Sequence, residues 1–203
     1  MRQNLSKMDP GKYLIPSPII DSDHPDVARA AGELARGSRS EEETARRCFE
    51  FVRDRIFHSF DHRMDPVTLK ASDVLAHRTG FCFAKSHLLA ALLRANGIPA
   101  GLCYQRILLK DAGVHCLHGL NAVYLPAHGW YRADARGNKE GVDARFTPPI
   151  ERLACALDNE GERDIPGIYA DPLPEVVAVL TRFGNYLDVR NNLPDIEPGA
   201  RRT

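Results

Sequence analysis

The hydrophobic pattern changes period once along the chain, near Pro99, and that change divides the protein into two halves. Before it, apolar residues recur at helical spacing; after it, they follow strand spacing with turn residues between the runs. Val27 to Arg36 reads as a short helix closed by Gly37. Ser40 and Glu43 have capping-box spacing and open a second helix, with Cys48, Phe49, Phe51, Val52 and Ile56 on its apolar face. Ser72-Asp73-Val74-Leu75 gives one more short helical turn. Leu88, Leu89, Leu92 and Leu93 then define a helix that opens at Cys82 and stops at Asn96-Gly97-Ile98-Pro99. The runs Leu102 to Leu109, His118 to Leu125 and Trp130 to Asp134 follow, parted by the turns Lys110-Asp111-Ala112-Gly113 and Pro126-Ala127-His128-Gly129. Helices first and an antiparallel sheet afterwards make an α+β layout.

The flanks are less regular. Residues 9–25 are rich in Pro and Asp, carry Tyr13-Leu14-Ile15 and Ile19-Ile20, and read as an extended lead-in to the first helix. From about Asp164 onward Pro residues accompany one helical piece, Leu173 to Phe183, expected to wrap over the core. With 203 residues, 43% of them hydrophobic, the chain has the material for one good core. The expectation is a single domain over 1–203, its core spanning about 25–150 and residues 151–203 forming the wrapping segment.

Charge narrows the partners. Acidic and basic residues balance at 27 each, so no overall field draws the chain to nucleic acid or an anionic membrane. No apolar run approaches the length of a bilayer crossing. Met1-Arg2-Gln3-Asn4-Leu5-Ser6-Lys7 lacks the apolar stretch of a signal peptide. The five cysteines, at 48, 82, 103, 116 and 155, are an odd and scattered set that reads as reduced thiols in a cytoplasm.

Cys82 is the candidate nucleophile. It closes the Gly-containing turn Thr79-Gly80-Phe81 and opens the apolar helix. There, unpaired backbone N–H groups and the helix dipole favour thiolate, the attacking form, over thiol. His118 and Asp134 follow downstream on two strands joined by one short turn, close enough across a hairpin for base and orienting carboxylate to meet. The rival chemistry is zinc bound by Cys103, His115, Cys116 and His118. However, His115 and Cys116 are adjacent and would point to opposite faces if their segment is a strand, and no Cys-x-x-Cys knuckle exists. Cys48 and Cys155 read as core residues in apolar helical contexts, and His58, His62, His77 and His87 as surface or capping residues. Lys85-Ser86 lacks the Gly-rich pattern of a phosphate loop.

Gly80-x-Cys82 followed by Leu89-x-x-Leu92-Leu93-Arg94-Ala95-x-Gly97-Ile98-Pro99-Ala100 resembles the nucleophile helix of the transglutaminase-like superfamily. The likeness continues through His118, Val123-Tyr124-Leu125-Pro126, Gly129-Trp130 and Asp134, with Phe49-x-Phe51-Val52-Arg53-Asp54-x-Ile56 similar to the helix upstream. It covers roughly residues 40–147. The resemblance implies a papain-like cysteine-proteinase core with Cys82 as nucleophile, His118 as base and Asp134 as orienter. It also implies acyl transfer at a carboxamide through a thioester, by a peptidase, an amidase or a transglutaminase, with hydrolysis favoured because nothing specifies an amine site. The alternative is a catalytically silent domain that binds or scaffolds. Substrates would be peptides, proteins or small amides, and no cofactor is expected.

Three departures stand out. His118-Gly119-Leu120-Asn121-Ala122 replaces the frequent His-x-Trp-x-Glu, Asp134-Ala135-Arg136 replaces Asp-Pro-Thr, and Gly101 stands where arginine is common. The backbone N–H of Cys82 is the natural first oxyanion donor. Papain-type enzymes add an upstream Gln, but the only glutamines are Gln3 and Gln105. Tyr104 and Asn121 are candidate stand-ins and, with Trp130, candidate substrate-binding residues. The expected geometry has one ring nitrogen of His118 near the Cys82 sulfur, the other facing Asp134, and Trp130 close by.

Overall fold

The computed structural model describes residues 9–196. The reading of Met1 to Lys7, and the last residues of the C-terminal segment, lie outside them. In chain order the helical half contains α1 (Pro25–Ala35), α2 (Glu41–Arg55), β1 (Phe57–His58), α3 (Ser59–His62), α4 (Ala71–His77), β2 (Thr79–Gly80) and α5 (Cys82–Ala95). Then come β3 (Ala100–Leu109), β4 (Val114–Leu125), β5 (Gly129–Ala133), β6 (Arg163–Tyr169), α6 (Pro174–Arg182) and α7 (Tyr186–Asn191).

Helix α5 is buried from Cys82 to Arg94, as expected of a helix apolar on nearly every side. Helices α1, α2 and α4 surround it, and β3 and β4 cover its remaining face. Its polar side chains Lys85, Ser86, His87 and Arg94 each reach a backbone carbonyl. Arg94 donates to the carbonyls of Ala100, Ile15 and Ala170, pinning the lead-in, the start of β3 and the C-terminal segment to one guanidinium. Lys85, 1% exposed, points its ammonium at the carbonyls of Arg53 and Ile56, where α2 ends and β1 is about to begin. Burial lowers the Lys85 pKa to about 7. The capping of α2 is as its sequence announces: Ser40 Oγ accepts from Glu43 N at 3.1 Å. The Glu43 carboxylate returns to the Arg39 N–H at 2.8 Å, one residue earlier than a strict capping box would have it.

The sheet is antiparallel throughout, in the order β5-β4-β3-β6. The strand β6 was not legible in the sequence, because Pro166 and Gly167 interrupt its run. It lies at the sheet edge, where a missing N–H is tolerated. The C-terminal segment thus completes the sheet as well as packing Val176, Val179 and Leu180 of α6 and Val189 of α7 into the core. The lead-in contains a short 3₁₀ turn, Pro10–Leu14, that buries Tyr13. Tyr13 explains Gly101: a Cβ there would meet the Tyr13 ring at 3.0 Å and collide with Ile168. No described helix is long and apolar enough to cross a membrane.

Two histidines differ from the sequence expectation of surface or capping roles. His87 is fully buried on α5, 2.8 Å from the Leu69 carbonyl, and burial lowers its pKa to about 4. His58 is buried on β1, which pairs in parallel with β2 so that His58 stands opposite Gly80. A two-residue bridge between segments this far apart leaves no periodicity to read.

Candidate active site

Cys82 is the first residue of α5 and remains 8% exposed. Its sulfur accepts the Gly119 N–H at 3.5 Å, which ties it to the residue beside His118. This approach needs Gly119: a Cβ there would fall 2.8 Å from the Phe83 ring and 3.1–3.2 Å from the Phe83 backbone. Gly119, at the variable position after His118, therefore lets the first turn of α5 descend onto β4.

His118, 2% exposed, directs Nε2 at Asp134 Oδ2, 2.7 Å away. Asp134 lies just past the end of β5 and is fully buried. The backbone N–H groups of Arg136 at 3.1 Å and Ala154 at 3.0 Å also bind its carboxylate. Burial opposes charge on both partners, but each overcomes that penalty in the other. The Asp134 carboxylate holds His118 well above its ordinary 6.5, while His118 and the two N–H groups keep Asp134 below 3.8.

Cys82 and His118 line a cavity of about 270 Å³. Phe60, Ile107, Leu109 and Leu117 supply apolar wall, and Arg136, Lys139 and Arg190 supply cations. Tyr104, Asn121 and Trp130 do not line it. Asn121 is fully buried under α5, donating to the carbonyls of Ser86 at 2.9 Å and Gly101 at 3.3 Å. The Tyr104 hydroxyl accepts the Leu173 N–H at 3.3 Å. Trp130 packs edge-on against Tyr13 and Tyr124, with ring centroids at 4.8 and 5.6 Å. It is the second residue of β5 and Asp134 follows the strand's end, so the strand itself separates Trp130 from the carboxylate.

The cavity also gathers residues that sequence reasoning set aside. Cys155, read as a helical core residue, lies instead in an irregular segment and lines the cavity; the preceding Ala154 N–H on Asp134 brings it there. His58, 8% exposed, packs edge-on against Phe81 at 5.6 Å. Beside it, Asp61 takes Arg136 at 2.7 Å and Lys139 at 2.8 Å. The Arg136 departure was visible in the sequence; its position in this cavity was not. The other thiols are poor nucleophiles, since burial pushes Cys48, Cys103 and Cys116 up to about 12 and raises Cys155 as well. Among the described residues, no group of three His, Cys, Asp or Glu side chains could hold a metal ion; His115 binds the Glu160 carbonyl instead.

The family model of the transglutaminase-like superfamily matches residues 28–135. A candidate cysteine protease from Cytophaga hutchinsonii superposes with a TM-score of 0.51 at 20% identity, over 65% of this chain and 44% of that one. The periplasmic domain of TgpA from Pseudomonas aeruginosa gives 0.48 at 23% identity, over 64% and 48%. The chain spans less than half the length of either structure. No curated protein matches. The fold is the α+β layout that the order of elements anticipates, with the papain-like architecture that the family resemblance implies.

Proposed function

The chain belongs to the transglutaminase-like superfamily, and from that premise we propose that it transfers acyl groups from carboxamides through a Cys82 thioester. His118 takes the Cys82 proton, and the sulfur attacks the amide carbonyl. The tetrahedral adduct expels the amine, which leaves with the proton from His118. Water then attacks the thioester, His118 accepting its proton, and an acid is released; an amine in place of water gives a new amide. Asp134 holds the imidazole in the tautomer and orientation that both steps need, and stabilises the imidazolium. Hydrolysis is the favoured outcome, because water is always at hand and no feature of the cavity selects an amine. The substrates would be peptides, proteins or small amides.

The observation that carries this reading is the convergence of a helix-opening thiol and a carboxylate-bound imidazole on one cavity. Incubation with 4-nitrophenyl acetate, followed by peptide mass spectrometry, tests it. A single acetyl group on Cys82, discharged to acetate in buffer and to an acetamide in added alkylamine, supports the reading and measures the partition. A folded protein whose Cys82 is never acylated would leave the silent binding domain as the better account.

A further inference from the structure

The cavity beside Cys82 holds more positive charge than its own carboxylates neutralise. Its lining includes Arg136, Lys139 and Arg190 but only two carboxylates, Asp61 and Asp111. Arg190 and Asp111 cancel each other, with Nη2 2.6 Å from Oδ2. His118 and Asp134 form a second closed pair at 2.7 Å. Burial keeps His58 neutral. The excess therefore sits where Arg136 and Lys139 share the single carboxylate of Asp61, at 2.7 and 2.8 Å. Among the described residues, neither of these cations forms a salt bridge with another acid.

Arg136 is the better placed of the two. Its backbone N–H binds Asp134 Oδ1 at 3.1 Å, so the segment that fixes the orienting carboxylate also delivers the guanidinium to the cavity. The side chain is only 15% exposed, and Phe60, Ile107, Leu109 and Leu117 wall the same space, so water screens its charge poorly. A guanidinium presents a planar fork of donors suited to carboxylates. Asp61 accepts one hydrogen bond from it, from Nη2 at 3.2 Å. Nη1 lies 2.7 Å from the other carboxylate oxygen without making a hydrogen bond. One uncancelled positive charge beside an apolar wall matches one carboxylate on an otherwise apolar molecule, rather than a phosphate dianion.

Resting on the thioester reading, we propose that Arg136, assisted by Lys139, selects substrates that carry a carboxylate close to the reacting amide, next to an apolar group. The carboxylate is an acidic group on the acyl side or the free C-terminus on the amine side; both offer the guanidinium the same chemistry. Arg136 acts here on specificity: it holds and orients the substrate and takes no part in moving the proton between Cys82 and His118.

Alkylation of Cys82 tests this without requiring a thioester. Iodoacetate and iodoacetamide both lose iodide as the same sulfur bonds to their methylene carbon, and only the first carries a carboxylate. The ratio of their rates cancels any change in thiolate fraction, and His118 is present in every variant. Arg136→Met should lower the iodoacetate-to-iodoacetamide ratio about tenfold, and Arg136→Lys, which keeps the charge, should restore most of it. Lys139→Met, at a half-exposed position, should lower the ratio about twofold, and it reads the same field if thermal unfolding shows that Arg136→Met does not fold. Protection of Cys82 from iodoacetamide then locates the carboxylate. Succinyl-phenylalaninamide against acetyl-phenylalaninamide tests the acyl side, and acetyl-phenylalanyl-alanine against its C-terminal amide tests the amine side. The charged member of one pair should protect at about tenfold lower concentration, an advantage lost in the Arg136→Met or Lys139→Met protein. The inference is overturned if the folded variants keep the wild-type ratio, or if neither charged peptide outperforms its neutral partner. Selective alkylation of a Cys82 that 4-nitrophenyl acetate never acylates would instead defeat the thioester reading, and the substrate role with it.

Discussion

Two histidine–aspartate pairs face each other across one cavity, and their chemistry runs in opposite directions. On the β4–β5 side, His118 and Asp134 are 2.7 Å apart, and the carboxylate holds the imidazole well above its ordinary pKa. On the β1–α3 side, His58 and Asp61 are 3.6 Å apart, and burial with the Arg136 charge holds the imidazole well below it. Both rings are buried, so desolvation does not separate them. What differs is the company of the carboxylate: Asp134 has neutral N–H donors besides His118, whereas Asp61 is claimed by Arg136 and Lys139. A carboxylate shared with two cations has little field left to charge a histidine. One pair is thereby suited to moving a proton, the other to keeping a histidine neutral.

The largest effect should come from Cys82→Ala, which removes the proposed nucleophile between the two pairs. Acyl transfer should fall to background while the melting temperature shifts by no more than about 2–4 °C, the change expected for about 1 kcal/mol in a chain this size. Activity surviving in Cys82→Ala and lost in Cys116→Ala would move the nucleophile elsewhere.

Asp134→Asn should break the asymmetry between the pairs. It removes the charge that raises His118, so kcat should drop about 10²–10⁴-fold. The sign of the pH effect follows. With a lower pKa, His118 is free to accept the Cys82 proton at lower pH, and the acid limb of the rate profile shifts toward acid. An unshifted limb would mean that Asp134 does not set the His118 proton affinity.

Lys85 makes the β1 side respond to pH through stability. Its folded pKa of about 7 lies below the ordinary 10.5. Between those values the unfolded chain holds a proton that the folded protein has released, so stability rises with pH. Over about pH 7 to 9 this contributes about 2 kcal/mol, which chemical denaturation of wild type and Lys85→Met should reveal as a slope present only in wild type. Equal slopes would place the Lys85 titration outside that window. The smallest effect should be that of Cys103→Ala. This thiol packs with Leu120 and Ala122 in a small cluster apart from the main core, and its loss should leave acylation unchanged while slightly lowering the melting temperature.

The sequence by itself determined the elements whose information is local. The periodicity and caps define α1, α2 and α5, the Gly-bearing turns define the β3–β4–β5 meander, and a thiol opening a helix is visible as Gly80-Phe81-Cys82. His118 and Asp134 were legible because a single short turn joins their strands, so pairing brings them together without help from the rest of the fold. Only the tertiary structure decided the other wall of the cavity. The parallel bridge of β1 and β2 brings His58 to Cys82, a salt bridge places Arg136 against Asp61, and the Ala154 N–H draws Cys155 to the carboxylate. These contacts join segments far apart in the chain through two-residue bridges and single side chains, which impose no period on the residues between them. A burial pattern records which face of a helix or strand is covered, but not which distant segment covers it.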